Sequence, residues 1–312
     1  MPITLVTGGA GFIGSHLVEA LTARGDQVRV FDNFSSGKRS NLSKVAHQIE
    51  IIEGDLRNSA DITVALEDVD LIFHEAAFVS VPMSLQEPRE CFEINVHAVT
   101  NLLASARDAG VRRVVLASSA AVYGSQGNMP LQEGSPGELL SPYAASKRFN
   151  ETLATLYTYS FAMETVALRY FNVYGLRQSP ESDYAAVIPK FIEQLSNGRP
   201  AKVFGDGAQS RDFIHVSDVV RANLLASDAA NAPGHAINIC SGKETSLLDV
   251  LDALSANFPS APEPEFSEPR LGDVPRSLGD PSLAKELLGF EVQVNLDSGL
   301  SQMGEAFPSE IA

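Results

Sequence analysis

The chain has 312 residues, 44% apolar and 20% charged, enough to build one large or two modest domains around a packed core. Its 39 acidic and 23 basic residues leave a formal net charge of -16, which excludes a broad nucleic-acid or anionic-membrane surface but not a local phosphate pocket. Two cysteines, Cys91 and Cys240, make no disulfide framework and point to a reducing, cytoplasmic compartment; no signal peptide and no bilayer-spanning run of about 18 apolar residues is expected.

Residues 3–7 read as a short buried strand. It runs into Gly8-x-x-Gly11-x-x-Gly14 and a helix through Arg24. Glycines there permit a tight turn and let backbone approach a pyrophosphate at the helix N-terminus. A strand before the motif and a helix after it supply the context such a fingerprint requires. The strand over 27–31 ends in Asp32, about 20 residues beyond the motif, where an acid binds ribose hydroxyls. A carboxylate repels a 2′-phosphate, so the expected cofactor is NAD rather than NADP.

Strands follow over 49–52, 70–74 and 111–117, with a long helix expected over 89–108. This alternation predicts a parallel, doubly wound sheet. Ligands of such sheets bind beyond the carboxyl ends of the strands, so Asp32, Asp55, Ala76, Ser118 and Ser119 are expected at one crevice. None of the six histidines, His74 included, has metal-ligand spacing to a neighbour, and no metal site is expected. Cys91 reads as a core residue of a helix.

Farther on, Ser141 and Pro142 suit the cap and first turn of a helix that carries Tyr143 and Lys147 on one face. A phenol with a reference pKa of about 10 is a poor base at neutral pH. A fixed ammonium one turn away and the positive end of the helix dipole both favour the phenolate. The spacing alone also fits a surface helix with a solvated lysine. Beyond Gly175 the alternation lapses into a helix over 185–196, a strand and turn over 203–207, and another helix entered from residues 211–219. The proline-rich stretch over 259–275 has the composition of a surface linker.

Five motifs combine here: Thr7-Gly8-Gly9-Ala10-Gly11-Phe12-Ile13-Gly14, Asp32-Asn33, Ser118-Ser119-Ala120-Ala121-Val122-Tyr123-Gly124, Tyr143-x-x-x-Lys147, and Leu168-Arg169-Tyr170-Phe171-Asn172-Val173-Tyr174-Gly175. Together they resemble the extended short-chain dehydrogenase/reductase family and, within it, the nucleotide-sugar 4-epimerases. The likeness runs through almost the whole chain.

The resemblance implies an α/β fold: a Rossmann-type doubly wound sheet with a smaller α/β substrate-binding C-terminal domain. Residues 1–171, with a return segment near 213–240, would bind NAD; residues 172–212 and 241–312 would bind the nucleotide sugar. Tyr143 would be the catalytic base, Lys147 would hold the nicotinamide ribose and acidify the tyrosine, and Ser119 would bond the sugar O4. Phe12 and Ile13 would contact the pyrophosphate. Ser35, Ser36 and Gly37 would lie at the adenosine ribose, Asp55 and Leu56 at the adenine, and Ala76, Ala77, Asn95 and Tyr170 at the inner end of the cofactor. Asn172, Arg211 and Arg270 would face the substrate diphosphate, with Asp273 on its ribose and Phe204 beside the base.

Related dehydratases and decarboxylases carry an acid directly after the catalytic hydroxyl residue. Alanines at 120 and 121 therefore favour simple epimerisation through a 4-keto sugar. In the resembled group a bulky tyrosine beyond the Arg-x-Gly-Asp motif restricts the sugar pocket, and the corresponding position here is Ser277. The segments over 76–82 and 184–190, which contain Ser80 and Val187, also look like the N-acetylhexosamine branch. The expected substrates are UDP-N-acetylglucosamine and UDP-N-acetylgalactosamine, alongside UDP-glucose and UDP-galactose. The competing readings are an enzyme restricted to non-acetylated or uronic-acid sugars and a catalytically silent NAD or nucleotide-sugar sensor. A homodimer is expected, with helices near 89–108 and 143–160 pairing into a four-helix bundle.

Overall fold

The apolar runs of the chain fold as seven parallel strands, most of them buried almost along their whole length; the edge strand over 50–53 is the more exposed one. The fold is that of a computed structural model describing residues 3–135, 137–180, 186–269 and 274–310. The sheet strands are β1 (Ile3–Thr7), β2 (Gln27–Asp32), β3 (Glu50–Glu53), β4 (Val69–His74), β5 (Arg113–Ser119), β6 (Glu164–Tyr170) and β7 (Ala236–Ile239). Their order across the sheet is β7-β6-β5-β4-β1-β2-β3, and every adjacent pair is parallel. The chain winds outward in both directions from β1, so the carboxyl ends of β1 and β4 flank the crevice where the winding reverses.

Alternate residues of each strand feed opposite faces, as the two-residue repeat of a strand requires. Val6, Phe73 and Val115 enter one core with Leu17 and Val18 of α1 (Phe12–Arg24). Leu5, Ile72 and Val114 enter the other. On that face the chain adds α2 (Ser59–Ala65), α3 (Val81–Gln86), α4 (Pro88–Phe92), α5 (Ala98–Asp108) and α6 (Pro142–Phe161). The first core is closed by α8 (Val216–Asp228), which follows α7 (Val187–Ser196) in the chain. A separate core gathers Ile188, Phe191 and Ile192 of α7 with Leu247, Val250 and Leu254 of α9 (Leu247–Ser255) and with Leu300 and Met303 near the C-terminus. Among the described residues no helix is long and apolar enough to cross a membrane.

Two expected elements change their bounds for local reasons. The single helix expected over 89–108 is interrupted by a wide π-type turn, Glu93–His97, between α4 and α5. That turn holds Asn95 1% exposed, with its amide bracketing the Phe78 backbone: Phe78 N donates to Oδ1 (2.8 Å) and Nδ2 donates to Phe78 O (3.0 Å). The strand expected over 111–117 starts at Arg113, because Val111 N is taken by Ala106 O at the end of α5 (2.9 Å).

Candidate active site

The turn after β1 opens a cleft of about 1190 Å³. Gly8 sits at φ +68°, and a Cβ there would lie 2.6 Å from the Ala76 backbone nitrogen, so a side chain at Gly8 would drive β1 and β4 apart. Gly14 lets α1 pass close beneath the turn: a Cβ there would lie 2.2 Å from Gly8 O. The first turn of α1 begins at Gly11, and no side chain caps it. Its N–H groups and the helix dipole face the cleft, an arrangement suited to a pyrophosphate.

Gly8, Gly11, Phe12, Ile13, Gly14, Asp32, Asn33, Ser35, Ser36, Gly37, Asp55, Leu56, Ala76 and Ala77 all line this one cleft. Asp32, 8% exposed, accepts from Ala10 N (2.9 Å) and Phe34 N (2.8 Å), which ties the glycine turn to the loop after β2. Each carboxylate oxygen retains a second lone pair for a ligand hydroxyl. Asp55 takes two hydrogen bonds from the Arg57 guanidinium (2.9 and 2.6 Å), one from the Arg57 N–H (2.9 Å) and one from Asn33 (3.1 Å); the guanidinium holds its carboxyl well below the usual range. Sequence reasoning missed the basic wall: Lys38, Lys44, Arg57, Arg177 and Arg199 also line the cleft. Loops far apart in the chain bring them together, and no local motif marks them. Asn95, like Tyr143, Lys147 and Tyr170, is not among the residues that line the cleft; its Nδ2, besides holding Phe78, donates to Ser146 Oγ (3.1 Å), so its amide braces the loop after β4 against α6.

At the inner end stands α6. The Ser141 hydroxyl accepts from Ala144 N (3.1 Å), and Pro142 occupies the first turn, as the sequence signals. Tyr143 N donates to Ser84 Oγ of α3 (3.2 Å), and Ser146 Oγ donates to Tyr143 O (2.8 Å). Lys147 Nζ donates to Ala117 O of β5 (2.8 Å) and lies 5.8 Å from the centre of the Tyr143 ring. Ser119 ends β5 opposite Tyr170 of β6, and its Oγ accepts from Ala121 N (3.2 Å). Ser118 leaves the crevice where it was expected: its hydroxyl donates to Glu151 Oε1 (2.6 Å), because alternate strand residues face opposite ways. Behind it, Arg169 donates to both Glu151 oxygens (2.7 and 2.8 Å) and to Tyr123 OH (2.8 Å), and Tyr123 OH donates to Asn238 Oδ1 (2.6 Å).

Burial alters the expected acid–base balance. It pushes the Tyr143 phenol up to about 12, against an opposing hydrogen bond from Ser119. It pulls the Lys147 ammonium down to about 8, against the attraction of Glu75. In the protein alone, burial therefore works against the phenolate that the Lys147 ammonium favours. Both charged forms lose water, and the lysine sheds its proton before the phenol does. A phenolate is favoured only while Lys147 stays protonated and further positive charge is brought in. Glu75, another residue missed by the sequence reading, accepts from Tyr170 OH (2.7 Å) in the cleft wall. Its place directly after β4 was the available signal.

The substrate-side residues are spread over the second half of the chain. Phe204 lines a second cleft of about 950 Å³ with Phe266 and Arg276. Ser277 N donates to Ser210 O (3.2 Å), which sets Ser277 beside Arg211, whose guanidinium donates to the same carbonyl (2.8 Å). Asn172 begins a short strand with its N–H on Asp212 O (3.0 Å). Val187 starts α7, and Ser80 caps α3 by accepting from Met83 N (3.2 Å). Arg270 and Asp273 lie outside the described residues.

The glycine cradle, the uncapped helix and Asp32 fit a nicotinamide dinucleotide, and a tyrosine–lysine–serine set at the inner end defines a nucleotide-cofactor enzyme. Residues 4–240 match the model of the NAD dependent epimerase/dehydratase family, and the chain belongs to that family. It is an enzyme, and its cofactor is NAD. The chain is 40% identical to a UDP-glucose 4-epimerase of Mycolicibacterium smegmatis over 97% of this chain and 98% of the relative. The solved UDP-N-acetylglucosamine 4-epimerase of Methanobrevibacter ruminantium, in complex with UDP-N-acetylmuramic acid, superimposes with a TM-score of 0.95 at 38% identity over 99% of both chains. A UDP-glucose 4-epimerase of Thermus thermophilus in complex with NAD gives 0.90 at 35% identity, covering 98% of this chain and 99% of the other.

Proposed function

We propose that this chain is an NAD-dependent UDP-sugar 4-epimerase whose site accepts N-acetylated hexoses as well as glucose and galactose. The observation that carries the reaction type is the meeting of Ser119, Tyr143 and Lys147 at the end of β5, with two alanines where relatives of other chemistry carry acids. NAD, held on the glycine turn and Asp32, would supply a reversible hydride acceptor for C4, and inversion would follow from a turn of the 4-keto sugar within the site. Tyr143 as phenolate takes the proton of the sugar 4-hydroxyl and gives it back at the end of the cycle. Ser119 holds O4, and Lys147 keeps the phenolate charged and bonds the ribose. Alanine at 120 and 121 can neither protonate a leaving hydroxyl nor ionise, so the hydroxyl stays on the sugar.

Residues 1–171 and the return near 213–240 carry the cofactor in this reading, which the addition of β7 to the edge of the main sheet supports. Residues 172–212 and 241–312 carry the nucleotide sugar, on Asn172, Phe204, Arg211, Arg270, Asp273 and Ser277, with Ser80 and Val187 at the sugar. The separate core of α7 and α9 supports the division. The protein works as a homodimer: Phe92 on α4 and Phe149 and Leu156 on α6 are exposed (38%, 42% and 46%), and light scattering after gel filtration measures the mass.

Turnover of both sugar pairs tests the reading. Ser277→Tyr is expected to cost the N-acetylated pair at least tenfold more than UDP-glucose, the discrimination that a change of bulk in a pocket gives at about 1–3 kcal/mol. Activity on UDP-glucose alone would remove the N-acetyl assignment. A wild type as inert as Tyr143→Phe would remove the enzymatic one.

A further inference from the structure

Glu75 is an acid for which the reaction scheme has no use. It follows β4 directly and stands half-buried in the cleft wall between the glycine turn and Ala76. Its N–H donates to Thr7 O of β1 (3.1 Å), which fixes the backbone. Its Oε1 accepts from Tyr170 OH (2.7 Å), and that hydroxyl accepts from Asn223 Nδ2 of α8 (2.7 Å). Asn223 is fully buried and also donates to Val219 O (3.0 Å). Strand β4, strand β6 and helix α8 thus combine to hold one carboxylate at the cofactor cleft.

The placement has a cost, since burial raises the proton affinity of this carboxyl to about 7. A glutamine would make the same contact with Tyr170 without it. Nor does the charge help the base: it raises the Tyr143 pKa and strengthens the hold of Lys147 on its proton. Its partner Tyr170 lies opposite Ser119 at the end of β5, which sets Glu75 beside the reacting centre. What remains for it to act on is the cofactor ring, which is positive when oxidised and neutral when reduced. A negative wall binds the oxidised ring more tightly than the reduced one.

We propose that Glu75 poises the bound cofactor toward its oxidised form, holding a carboxylate in the wall of the cleft where hydride is transferred. The inference rests on the epimerase reading insofar as that reading brings the reactive ring to Tyr143. Its consequence is a resting enzyme charged with NAD+, in which the complex of keto sugar and NADH stays scarce. The groups that face Glu75 are Tyr170 from β6 and Tyr143 and Lys147 from α6. Cys91 of α4 is near enough to Tyr143 and Lys147 to act on both. His74, next in the chain, turns to Thr7 Oγ1 (2.8 Å). The Lys147 ammonium acts in the opposite sense, and the pair sets the balance.

The test needs no sugar. The full chain is equilibrated with equal NAD+ and NADH, and the bound dinucleotides are extracted and quantified. Wild type is expected to hold an excess of NAD+. Glu75→Gln, which keeps an acceptor for Tyr170, is expected to shift the bound ratio about tenfold toward NADH, the effect of removing one partly exposed, partly protonated charge from beside the ring. A purely structural role would weaken both forms alike, so an unchanged ratio overturns the proposal. If the variant binds neither form, wild type decides between about pH 5.5 and about pH 7, below the range in which Lys147 loses its proton. There the NAD+ preference must rise with pH as Glu75 ionises, and a flat ratio overturns the idea. Because turnover of UDP-sugars is a separate assay, a failed epimerase reading and a failed Glu75 assignment give different results.

Discussion

Replacing Lys147 by methionine separates stability from catalysis in a way the geometry makes quantitative. The Lys147 nitrogen lies 5.8 Å from the Tyr143 ring centre, and both residues are buried, at 3% and 9% exposure. A unit charge at that distance, with an effective dielectric constant of about 20, stabilises the phenolate by about 3 kcal/mol, or about two pKa units. Lys147→Met is therefore expected to move the acid limb of the kcat profile about two units upward and to cut kcat about 100-fold below that limb. The same change removes an ammonium that burial has pulled from 10.5 to about 8, a penalty of a few kcal/mol at neutral pH. The lost bond to Ala117 O offsets only part of it. The variant should be as stable as wild type or more so while being much slower. The assay is a pH series of epimerisation rates beside a urea titration at saturating NAD. A kcat within fivefold of wild type across the profile, or a rate loss with no shift of the limb, would refute the electrostatic argument.

Two further predictions concern the scaffold. Arg169, 1% exposed, is paired with Glu151, so Arg169→Met should cost up to about 3–5 kcal/mol by leaving that buried carboxylate only Ser118 and the part-exposed Arg148, while Arg169→Met/Glu151→Leu should recover more than half. Equilibrium denaturation measures both, and additive losses would contradict the reading. His74 is held neutral by burial, its pKa pulled from 6.5 to about 3. The unfolded chain gains that proton below pH 6.5 and the folded chain does not, so this contribution is complete above 6.5 and declines as pH falls toward 3. Wild type should lose up to about 1.4 kcal/mol per pH unit more than His74→Gln across that window; parallel curves would show that His74 carries no such linkage. The raised carboxyls of Asp212 and Glu75 slope the other way and cancel in the comparison.

What the chain alone determined is whatever local covalent geometry and short-range periodicity dictate. The Gly8, Gly11 and Gly14 spacing, the strand that ends in Asp32 and the Ser141–Pro142 helix start are readable because each depends on neighbours a few residues away. Alternation of strands and helices fixed the parallel sheet for the same reason, since parallel strands require crossovers. Tertiary structure decided the rest. Asn95 braces Phe78 and Ser146 because a wide turn rotates it inward, and no periodicity announces that turn. The burial that opposes the Tyr143 phenolate and the Lys147 ammonium was not legible in sequence, because spacing gives the distance between two charges but not the water withdrawn from both. Glu75 was overlooked because its partners, Tyr170 and Asn223, are distant in the chain and meet only where β4, β6 and α8 converge.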